Sequence, residues 1–535
     1  MVFLLVWVVQ MAAAFYFCTQ KQGFHEDEYY TYYSTARTNG FYVEDGQWMD
    51  RDTYRNEFVV LPNERFRYGL VKLVQSWDVH PPIYYWVFHT AASLVPNVFS
   101  EWIGLSVNLF FHGINIILLT YLSYLVTGRC GKGLLLVILF WGLSPAVMSG
   151  VVFIRMYEML TTFVLLCAIL HMGAVAENEA KLPVLRRLVP MAAVTYLGFL
   201  TQYYYLIFLF CLATAFCVWL LRRDGNIHGC LLYGAGQGAA LLLGYATYPS
   251  CLGQMFRGQR GAQATGNFFD WSNTAERVVF FYDLMNRYVF GHMLPVLLLL
   301  IVILAAAVFR WKRYAVKSAE GVIYERHEPG SEAAFWMLAF TAAGYFLIVS
   351  KTALLLGGTS TRYQLPIYGI AVLLIFTAIS RLWQVMSAAC AKDSKYAKYM
   401  KYAETSAAFI CLTAILLGHW KDGVEFLYPE DREQTAFAKE CAAQGTPAVY
   451  LYQPGEEWCI WDVTDELLMY PKVYFASVNN SGLIDDTEIQ NANSVAVYVA
   501  GDVDEERIVG ITEDINAKKG TQMFEENYCS VWYFE

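Results

Sequence analysis

The sequence predicts a mainly α-helical, polytopic membrane protein of about 11 transmembrane helices, with a small α/β domain at its C-terminal end. Of its 535 residues, 57% are hydrophobic and only 16% are charged, whereas an average soluble domain is about 25% charged. Apolar runs long enough to cross a bilayer recur along the chain, while residues 421–535 are polar and acidic. This composition, with a net charge of −9, predicts membrane lipids as partners and no nucleic acid.

The first span is the N-terminal run MVFLLVWVVQMAAAFYFCT. It lacks a basic start and a small-residue cleavage site, so we expect a retained span and not a removed signal peptide. The fifth and sixth spans abut at LTQYYYL, which predicts a tight turn there. Apolar runs predict the 11 spans near 1–19, 102–127, 133–151, 156–175, 188–202, 203–221, 229–249, 291–309, 333–351, 364–380 and 404–420.

A long polar segment, the first outer loop 20–101, separates the first two spans and contains one more apolar stretch, PPIYYWVFHTAASLVP at 81–96. This stretch is short and has prolines at both ends, so it is either a further span or a helix at the membrane interface. If it lies at the interface, the basic residues of alternate loops all fall on the cytoplasmic side, as the positive-inside rule requires. We therefore predict an interfacial helix and a cytoplasmic N-terminus. Those basic residues include Arg129, Lys132, Lys181, Arg186, Arg187, Arg222, Arg223, Arg310, Lys312, Arg313, Lys317, Arg326, Arg381, Lys392, Lys395, Lys398 and Lys401.

The same topology places the C-terminal segment outside the cell membrane. From His419 onward the chain has 23 acidic and 7 basic residues, a net charge of −16, so the remainder carries +7. Short β-like runs alternate with polar helix-like stretches, which predicts an extracytoplasmic α/β domain at 421–535 after a transmembrane domain at 1–420. It carries no catalytic signature and reads as an accessory or acceptor-docking domain. The predicted strands are 448–452, 472–478, 494–501 and 529–534.

Three acids, Glu26, Asp27 and Glu28, follow the first span in the stretch FHEDEYYTYY. Loop acids are most often solvated surface, but these lie within one turn of the membrane boundary among tyrosines, which favour the interface. Partial desolvation would raise the pKa of a carboxylate there, and this suits a general base. We predict Asp27 and Glu28 as catalytic residues, whereas Glu26 and His25 read as loop surface.

Basic and aromatic residues at the outer ends of spans form the second set of candidates. In VFIRMYEM, Arg155 and Glu158 are three residues apart, which predicts a shared helix face. They either pair with each other or leave the arginine for an anionic headgroup. Arg362 in STRYQLP either snorkels to the interface or binds an anion.

The loop 251–290 adds Arg257 and Arg260 in MFRGQRG, and several basic groups facing an acidic pair predict an anion clamp beside a base. In WDVHPPIYYW, His80 precedes two prolines that can start a helix.

Taken in order, the acidic pair after the first span, the HPP-Tyr-Tyr helix, the Arg-x-Tyr at the fourth span, LTQYYY and the late Arg-Tyr resemble the GT-C glycosyltransferases. More narrowly, residues 1–380 are similar to the bacterial glycosyltransferase 39 branch, which is related to protein O-mannosyltransferases and to the aminoarabinose transferase of lipid A. The resemblance implies a GT-C fold and an inverting transfer of a sugar from a polyprenyl-phosphate carrier to an acceptor on the outer side of the membrane. The acceptor class (glycan, lipid or protein) stays open.

The resemblance also implies roles for single residues. Asp27 matches the acid proposed to deprotonate or orient the acceptor hydroxyl, and His80 matches the helix that frames the active site. Gln202 stands where relatives often carry histidine. The substrate-binding residues predicted in this way and from the residue patterns are His80, Arg155, Tyr157, Glu158, Gln202, Tyr203, Arg257, Arg260, Arg362 and Tyr363.

A metal and two other function classes were weighed against this prediction. His25, Glu26 and Asp27 could ligate a metal, but the branch that the chain resembles is generally metal-independent, so we expect no cofactor. A transporter or lipid flippase would also place charges at membrane depth, but such proteins usually show inverted repeats and interrupted spans. A sensor with an acidic outer domain does not account for 11 spans or for an acidic pair beside the membrane.

Overall fold

A computed structural model of the chain describes residues 2–36, 43–127, 132–177, 182–315, 329–390, 406, 410–411, 413–419, 421–478, 486–501 and 519–535. Helices dominate the part that precedes residue 421. They are α1 (Val2–Gln20), α2 (Glu26–Ala36), α3 (Arg51–Arg55), α4 (Tyr68–Gln75), α5 (Ile83–Leu94), α6 (Glu101–Thr127), α7 (Lys132–Gly142), α8 (Pro145–Val152), α9 (Tyr157–Ala176), α10 (Val189–Phe199), α11 (Tyr204–Asp224), α12 (Ile227–Thr247), α13 (Ser250–Phe256), α14 (Gln259–Phe269), α15 (Thr274–Tyr288), α16 (Leu294–Ala315), α17 (Pro329–Thr352) and α18 (Leu365–Cys390).

The C-terminal part adds shorter helices and most of one sheet. The helices are α19 (Asp431–Gln444), α20 (Thr464–Leu467) and α21 (Thr487–Gln490). The strands, one of which comes from the first outer loop, are β1 (Gln47–Asp50), β2 (Ala448–Tyr452), β3 (Lys472–Ser477), β4 (Val495–Ala500), β5 (Gly520–Glu525) and β6 (Cys529–Phe534). A π-helical turn at Val184–Leu188 precedes α10, and 3₁₀ helices lie at Asn56–Phe58, Gly357–Tyr363 and Glu457–Val463.

Six helices of the described residues are long and apolar enough to cross a membrane, which confirms a multi-pass membrane protein. They lie within α1, α6, α9, α11, α17 and α18. The predicted span 133–151 is broken between α7 and α8, where Pro145 begins the second helix. The predicted turn at LTQYYYL is present between α10 and α11.

Some of the predicted features fall outside the described residues. Of the last predicted span, 404–420, residues 406, 410–411 and 413–419 are described and helical, and the others lie outside. The basic loops at 128–131, 178–181, 316–328 and 391–405 also lie outside the described residues.

The apolar stretch 81–96 forms α5, a helix of 12 residues and not a span. At 1.5 Å per residue it is about 18 Å long, whereas the hydrocarbon core is about 30 Å thick. Tyr84, Tyr85 and Phe88 of this helix are buried against the rest of the protein. The prediction of a helix that does not cross the membrane is therefore confirmed.

The six strands form one sheet in the order β1-β3-β2-β4-β6-β5. Central β2 is parallel to both β3 and β4, and the outer pairs are antiparallel. The four predicted strands are all present. Two of them, β2 and β4, are continuous apolar runs that are buried on both faces, which made them easy to predict. The sequence did not predict β1, which is four residues long, or β5, which is mostly exposed.

Strand β1 constrains how the chain crosses the membrane. Residues 47–50 pair with 472–475, so the first outer loop and the C-terminal part lie on the same side. The chain must therefore cross the membrane an even number of times after α1. Five of the six strongly apolar helices follow α1, so if all five cross, at least one of the less apolar helices crosses as well.

Candidate active site

Asp27 lies between two arginines that are distant from it in sequence. One Oδ of its carboxylate is 3.3 Å from Nη2 of Arg362, and the other is 3.8 Å from Nη2 of Arg155. Both arginine side chains are 3% exposed, whereas that of Asp27 is 29% exposed. The three residues come from α2, from the α8–α9 connection and from the 3₁₀ helix before α18. We call Arg155 and Arg362 the guanidinium pair.

Arg155 reaches Asp27 because the chain is not helical where the sequence suggested a helix. Helix α8 ends at Val152 and α9 begins at Tyr157, so Arg155 and Glu158 do not share a helix face and that prediction is wrong. Asn108 of α6 stabilises the break, since its Nδ2 donates to the carbonyls of Val151 and Phe153 at 3.0 and 2.6 Å.

The guanidinium of Arg155 is turned towards the start of α2. Its Nη1 donates to the backbone carbonyl of Asp27 at 2.8 Å and to Oγ1 of Thr31 at 3.2 Å.

Glu28 is buried and faces the interior of the protein. Its Oε2 lies 2.9 Å from the buried Lys21 ammonium and accepts from the backbone N–H of His25 at 2.7 Å. Its Oε1 accepts from the backbone N–H of Ile154 at 2.6 Å. Glu28 therefore holds the α8–α9 break against the start of α2, and in this arrangement its carboxylate does not face the guanidinium pair.

Arg362 keeps donors that have no partner among the described residues. Its Nε and Nη1 are buried and make no hydrogen bond. Aromatic rings surround the guanidinium: its carbon is 4.9 Å from the ring centre of Phe153, 5.2 Å from Tyr363 and 5.9 Å from Phe426. An arginine with free buried donors next to a half-buried carboxylate is typical of an anion-binding site.

Two histidines, His25 and His80, lie near Asp27. Nη2 of Arg155 lies 3.3 Å from both ring nitrogens of His80, and Nδ1 of His80 lies 3.3 Å from Oδ2 of Asp78. Nδ1 of His25 accepts from the backbone N–H of Asp27 at 3.0 Å. Burial lowers the pKa of His25 to about 3, opposed by Asp27 and assisted by Arg362. The imidazole of His25 is therefore neutral, which its acceptor role requires.

The pKa of Asp27 differs from the prediction. Burial acts to raise it, but the charges of Arg155 and Arg362, with smaller effects of His25 and His80, outweigh burial and hold the pKa of Asp27 well below its usual range. The expectation of a raised basicity is wrong for the free site, because the sequence did not show that two arginines converge on this carboxylate.

The other predicted residues take several positions. Tyr157 and Tyr363 contact each other edge to face beside Arg362, with ring centres 6.0 Å apart. Glu158 is buried on the opposite side and accepts from Asn115 Nδ2 at 2.8 Å. Arg257 and Arg260 are exposed near the ends of α13 and α14 and make no ion pair among the described residues.

Gln202 and Tyr203 lie behind the site. Oε1 of Gln202 accepts from the backbone N–H of Tyr203, and the Tyr203 hydroxyl donates to Oε1 of Gln254, both at 2.5 Å. Nε2 of Gln254 then donates to the backbone carbonyl of Asp78 at 2.6 Å. These residues support the loop that carries His80, and they do not contact Asp27.

The sequence missed Phe426, which the C-terminal part contributes to the site. Its ring stacks on Phe153 with the centres 4.0 Å apart, and its backbone carbonyl accepts from Lys21 at 2.9 Å. Phe426 and Tyr428 have φ of 66° and 50°, a left-handed backbone conformation that residues other than glycine rarely adopt. Nothing in the sequence distinguishes these aromatics from others, so only the fold could reveal them.

No three His, Cys, Asp or Glu side chains converge to hold a metal ion within the part of the chain that the structure describes. The absence of a cofactor stays a prediction.

No protein-family model and no curated protein sequence matches the chain. Solved structures that resemble it include two of the protein ArnT. The crystal structure of ArnT from Cupriavidus metallidurans bound to undecaprenyl phosphate is 11% identical over 99% of this chain and 97% of that chain, with a TM-score of 0.50. ArnT from the same organism in the apo state is 10% identical over 94% and 96%, with a TM-score of 0.45. The first likeness shows the fold, and the predicted GT-C-type polytopic architecture, similar to the aminoarabinose transferase, is confirmed at that level.

Proposed function

We propose that the protein is a membrane glycosyltransferase that moves a sugar from a polyprenyl-phosphate donor to an acceptor, with inversion at the anomeric carbon. The observation that carries the proposal is the guanidinium pair around Asp27, with two buried Arg362 nitrogens that have no partner among the described residues. The ArnT structure of the same fold is described as bound to undecaprenyl phosphate, which supports a lipid of this class as the donor.

The donor phosphate would take the free donors of Arg362 and share the charge of Arg155. When the bond between the sugar and the phosphate breaks, negative charge develops on the phosphate. Guanidinium groups that are already fixed in a buried site stabilise that charge strongly, because they need no rearrangement during the reaction. The aromatic rings of Phe153, Phe426 and Tyr363 lower the local dielectric around it.

Asp27 is the carboxylate next to the phosphate position, and it would orient the acceptor beside the donor. Its partial exposure leaves room for the acceptor. Attack from the face opposite the phosphate inverts the anomeric carbon. Asp27 also holds the guanidinium pair together, so its removal affects the donor side as well.

The proposal includes the orientation in the membrane. The N-terminus would be cytoplasmic, and the first outer loop and the 421–535 domain would lie outside, where glycan, lipid or protein acceptors are found. The pairing of β1 with β3 supports a common side for the loop and the domain.

Binding and transfer test the proposal in the purified protein embedded in lipid nanodiscs. We expect undecaprenyl phosphate to raise the unfolding temperature, and a labelled sugar to leave one member of a panel of undecaprenyl-phosphate hexoses and pentoses. Asp27→Asn should abolish this release while the protein stays folded. Absence of lipid binding would contradict the proposal, and binding without sugar release from any donor would favour a lipid flippase.

A further inference from the structure

Glu26 is the one carboxylate of the first turn of α2 that is left without a partner. Asp27 lies between the guanidinium pair and Glu28 is paired with Lys21. Glu26 makes no hydrogen bond or ion pair with any of the described residues, although its side chain is half-buried. A half-buried carboxylate beside a candidate reaction centre costs solvation and gains no contact in the free protein.

Glu26 lies where α2 packs against the 457–463 helix of the C-terminal part. One turn along α2, Tyr30 contacts Trp461 with the ring centres 5.6 Å apart. The next residue, Asp462, accepts from the backbone N–H of Tyr528 at 2.8 Å. Tyr528 packs on Trp458 with the centres 4.9 Å apart, and both are partly exposed, at 40% and 38%.

Partly exposed aromatic residues therefore lie near Glu26, whereas Arg155 and Arg362 are buried. A donor phosphate bound at the buried guanidinium pair leaves Glu26 free to meet the acceptor.

We propose that Glu26 takes the proton from the acceptor hydroxyl, beside the junction of α2 with the 457–463 helix. This inference rests on the proposed function, and it adds a catalytic residue that the sequence had assigned to the loop surface.

The transfer balances as a single displacement. The acceptor oxygen forms a bond to the anomeric carbon, and its proton moves to a carboxylate oxygen of Glu26. The electron pair of the bond between the sugar and the phosphate stays on the phosphate oxygen, and polyprenyl phosphate leaves between Arg155 and Arg362. Glu26, whose side chain is only half-buried, then returns its proton to water.

Electrostatics favour Glu26 over Asp27 for this task. Burial, Asp27 and Asp462 raise the pKa of Glu26 to about 7, and Arg362 and Arg260 act against them. Tyr30 and Tyr528 also face it. A base is most effective when its pKa lies near the working pH, whereas the guanidinium pair keeps Asp27 too acidic. A bound donor phosphate adds negative charge and raises the pKa of Glu26 further.

The test compares Glu26→Gln, Glu26→Asp and wild type in nanodiscs, with the undecaprenyl-phosphate sugar that the wild type consumes. We expect Glu26→Gln to lower the rate of sugar release by roughly 10²–10⁴-fold, the usual contribution of a general base. Thermal stabilisation by undecaprenyl phosphate should stay unchanged, and Glu26→Asp should recover part of the rate. Wild-type release should fall as the pH drops below the pKa of Glu26, and Glu26→Gln should lose this dependence.

Two neighbouring variants give opposite shifts that a merely structural role would not produce. Asp462→Asn removes a charge that raises the pKa of Glu26, so the acidic limb of the pH–rate profile should move to lower pH. Arg260→Gln removes a charge that lowers it, so the limb should move to higher pH. A wild-type rate and pH profile in Glu26→Gln would overturn the inference and return the proton to Asp27. If the wild type does not bind undecaprenyl phosphate, the proposed function itself would instead be contradicted.

Discussion

Arg362 has buried hydrogen-bond donors that no described residue satisfies. Its Nε and Nη1 are buried and unpartnered among the described residues, and an unsatisfied buried polar group costs about 1–3 kcal/mol. Asp27 and three aromatic rings hold the side chain in place. The free protein therefore carries a local cost that an anion with several acceptor oxygens would remove.

Substitution of Arg362 should weaken binding of undecaprenyl phosphate. We expect Arg362→Gln to raise the Kd by roughly 10- to 100-fold, because a hydrogen bond to a charged group contributes about 1.5–3 kcal/mol. The Kd of Arg362→Lys should lie between those of the wild type and Arg362→Gln, since lysine keeps the charge and loses the bidentate geometry. The exposed Arg51 gives a control, and Arg51→Gln should bind as the wild type. If a lipid-binding titration shows the same loss of affinity in Arg362→Gln and Arg51→Gln, this would argue against a phosphate site at Arg362.

At this scale the sequence predicted which residue types meet but not their protonation. Asp27, Arg155 and Arg362 were predicted because charged residues at the outer ends of apolar spans are rare and expensive. His80 was predicted from the family resemblance. The low pKa of Asp27 and the free state of Glu26 depend on which side of α2 each carboxylate faces. Glu26 and Asp27 are adjacent in sequence, and only the packing of α2 distinguishes them.

A buried ion pair ties helices of the membrane part to the C-terminal part. Lys21 follows α1 directly, and its ammonium donates to Glu28 and to the carbonyl of Phe426, both at 2.9 Å. Through Glu28 the pair also reaches the backbone of Ile154 in the α8–α9 break. It thus fixes three segments that carry Asp27, Arg155 and the Phe426 ring.

Breaking this pair should destabilise the whole site. Lys21→Met leaves Glu28 buried and unpaired, a change that typically costs 3–5 kcal/mol. We expect a clear drop in the unfolding temperature of the full chain, with a smaller drop in the double variant Lys21→Met/Glu28→Gln, in which no charge remains unpaired. The exposed pair Asp52–Arg55, 3.3 Å apart, gives the comparison, and Asp52→Asn should cost less than about 1 kcal/mol. Equal effects of Lys21→Met and Asp52→Asn would contradict the role of the buried pair.

Among the helices and strands, long apolar runs and central strands were predictable from the sequence, and short or irregular ones were not. Strand β2 lies at the predicted residues because a buried strand is a continuous apolar run. The break at 153–156 carries no proline or glycine. It depends on Asn108 and Glu28, which bind its backbone groups from other parts of the chain.

The first outer loop and the C-terminal part are joined over a wide area. Strand β1 extends the sheet, the Tyr54 hydroxyl lies 2.6 Å from Oγ1 of Thr464, and Asp431 packs against Gly23 so closely that a methyl group there would clash. Acids collect at this joint. Burial, with neighbouring acids, raises the pKa of Asp431 to about 8 and places that of Glu466 well above its usual range.

The stability of the joint should therefore fall as the pH rises. A carboxyl whose pKa is raised on folding contributes its full stability below about pH 4 and loses it as the pH rises through the folded value, here near 8 for Asp431. The unfolding temperature should decrease between pH 5 and pH 9. Glu466→Gln should reduce that decrease and leave the value at pH 5 nearly unchanged. Parallel curves for variant and wild type would show that Glu466 is not the buried acid responsible.

For the whole molecule, composition and the apolar runs sufficed to predict a polytopic membrane protein with a small C-terminal α/β part, whereas the orientation drawn from loop charge stays a prediction. The boundary at residue 421 stays a prediction. The sequence did not predict that the loop shares a sheet with that domain, because four residues, QWMD, carry too weak a pattern.

Because both ends of the chain contribute strands to one sheet, the sheet cannot be completed until the C-terminal part has been synthesised. Asp50 pairs with Lys472, so the partner of β1 is synthesised about 420 residues later, roughly 20 to 80 s at ordinary rates of translation. During this interval the intervening membrane segments are synthesised, and β1 has no partner strand. A long apolar edge would invite wrong pairing in that time. Strand β1 has only four residues with polar ends, Gln47 and Asp50, so it offers little apolar edge for wrong pairing before β3 is synthesised.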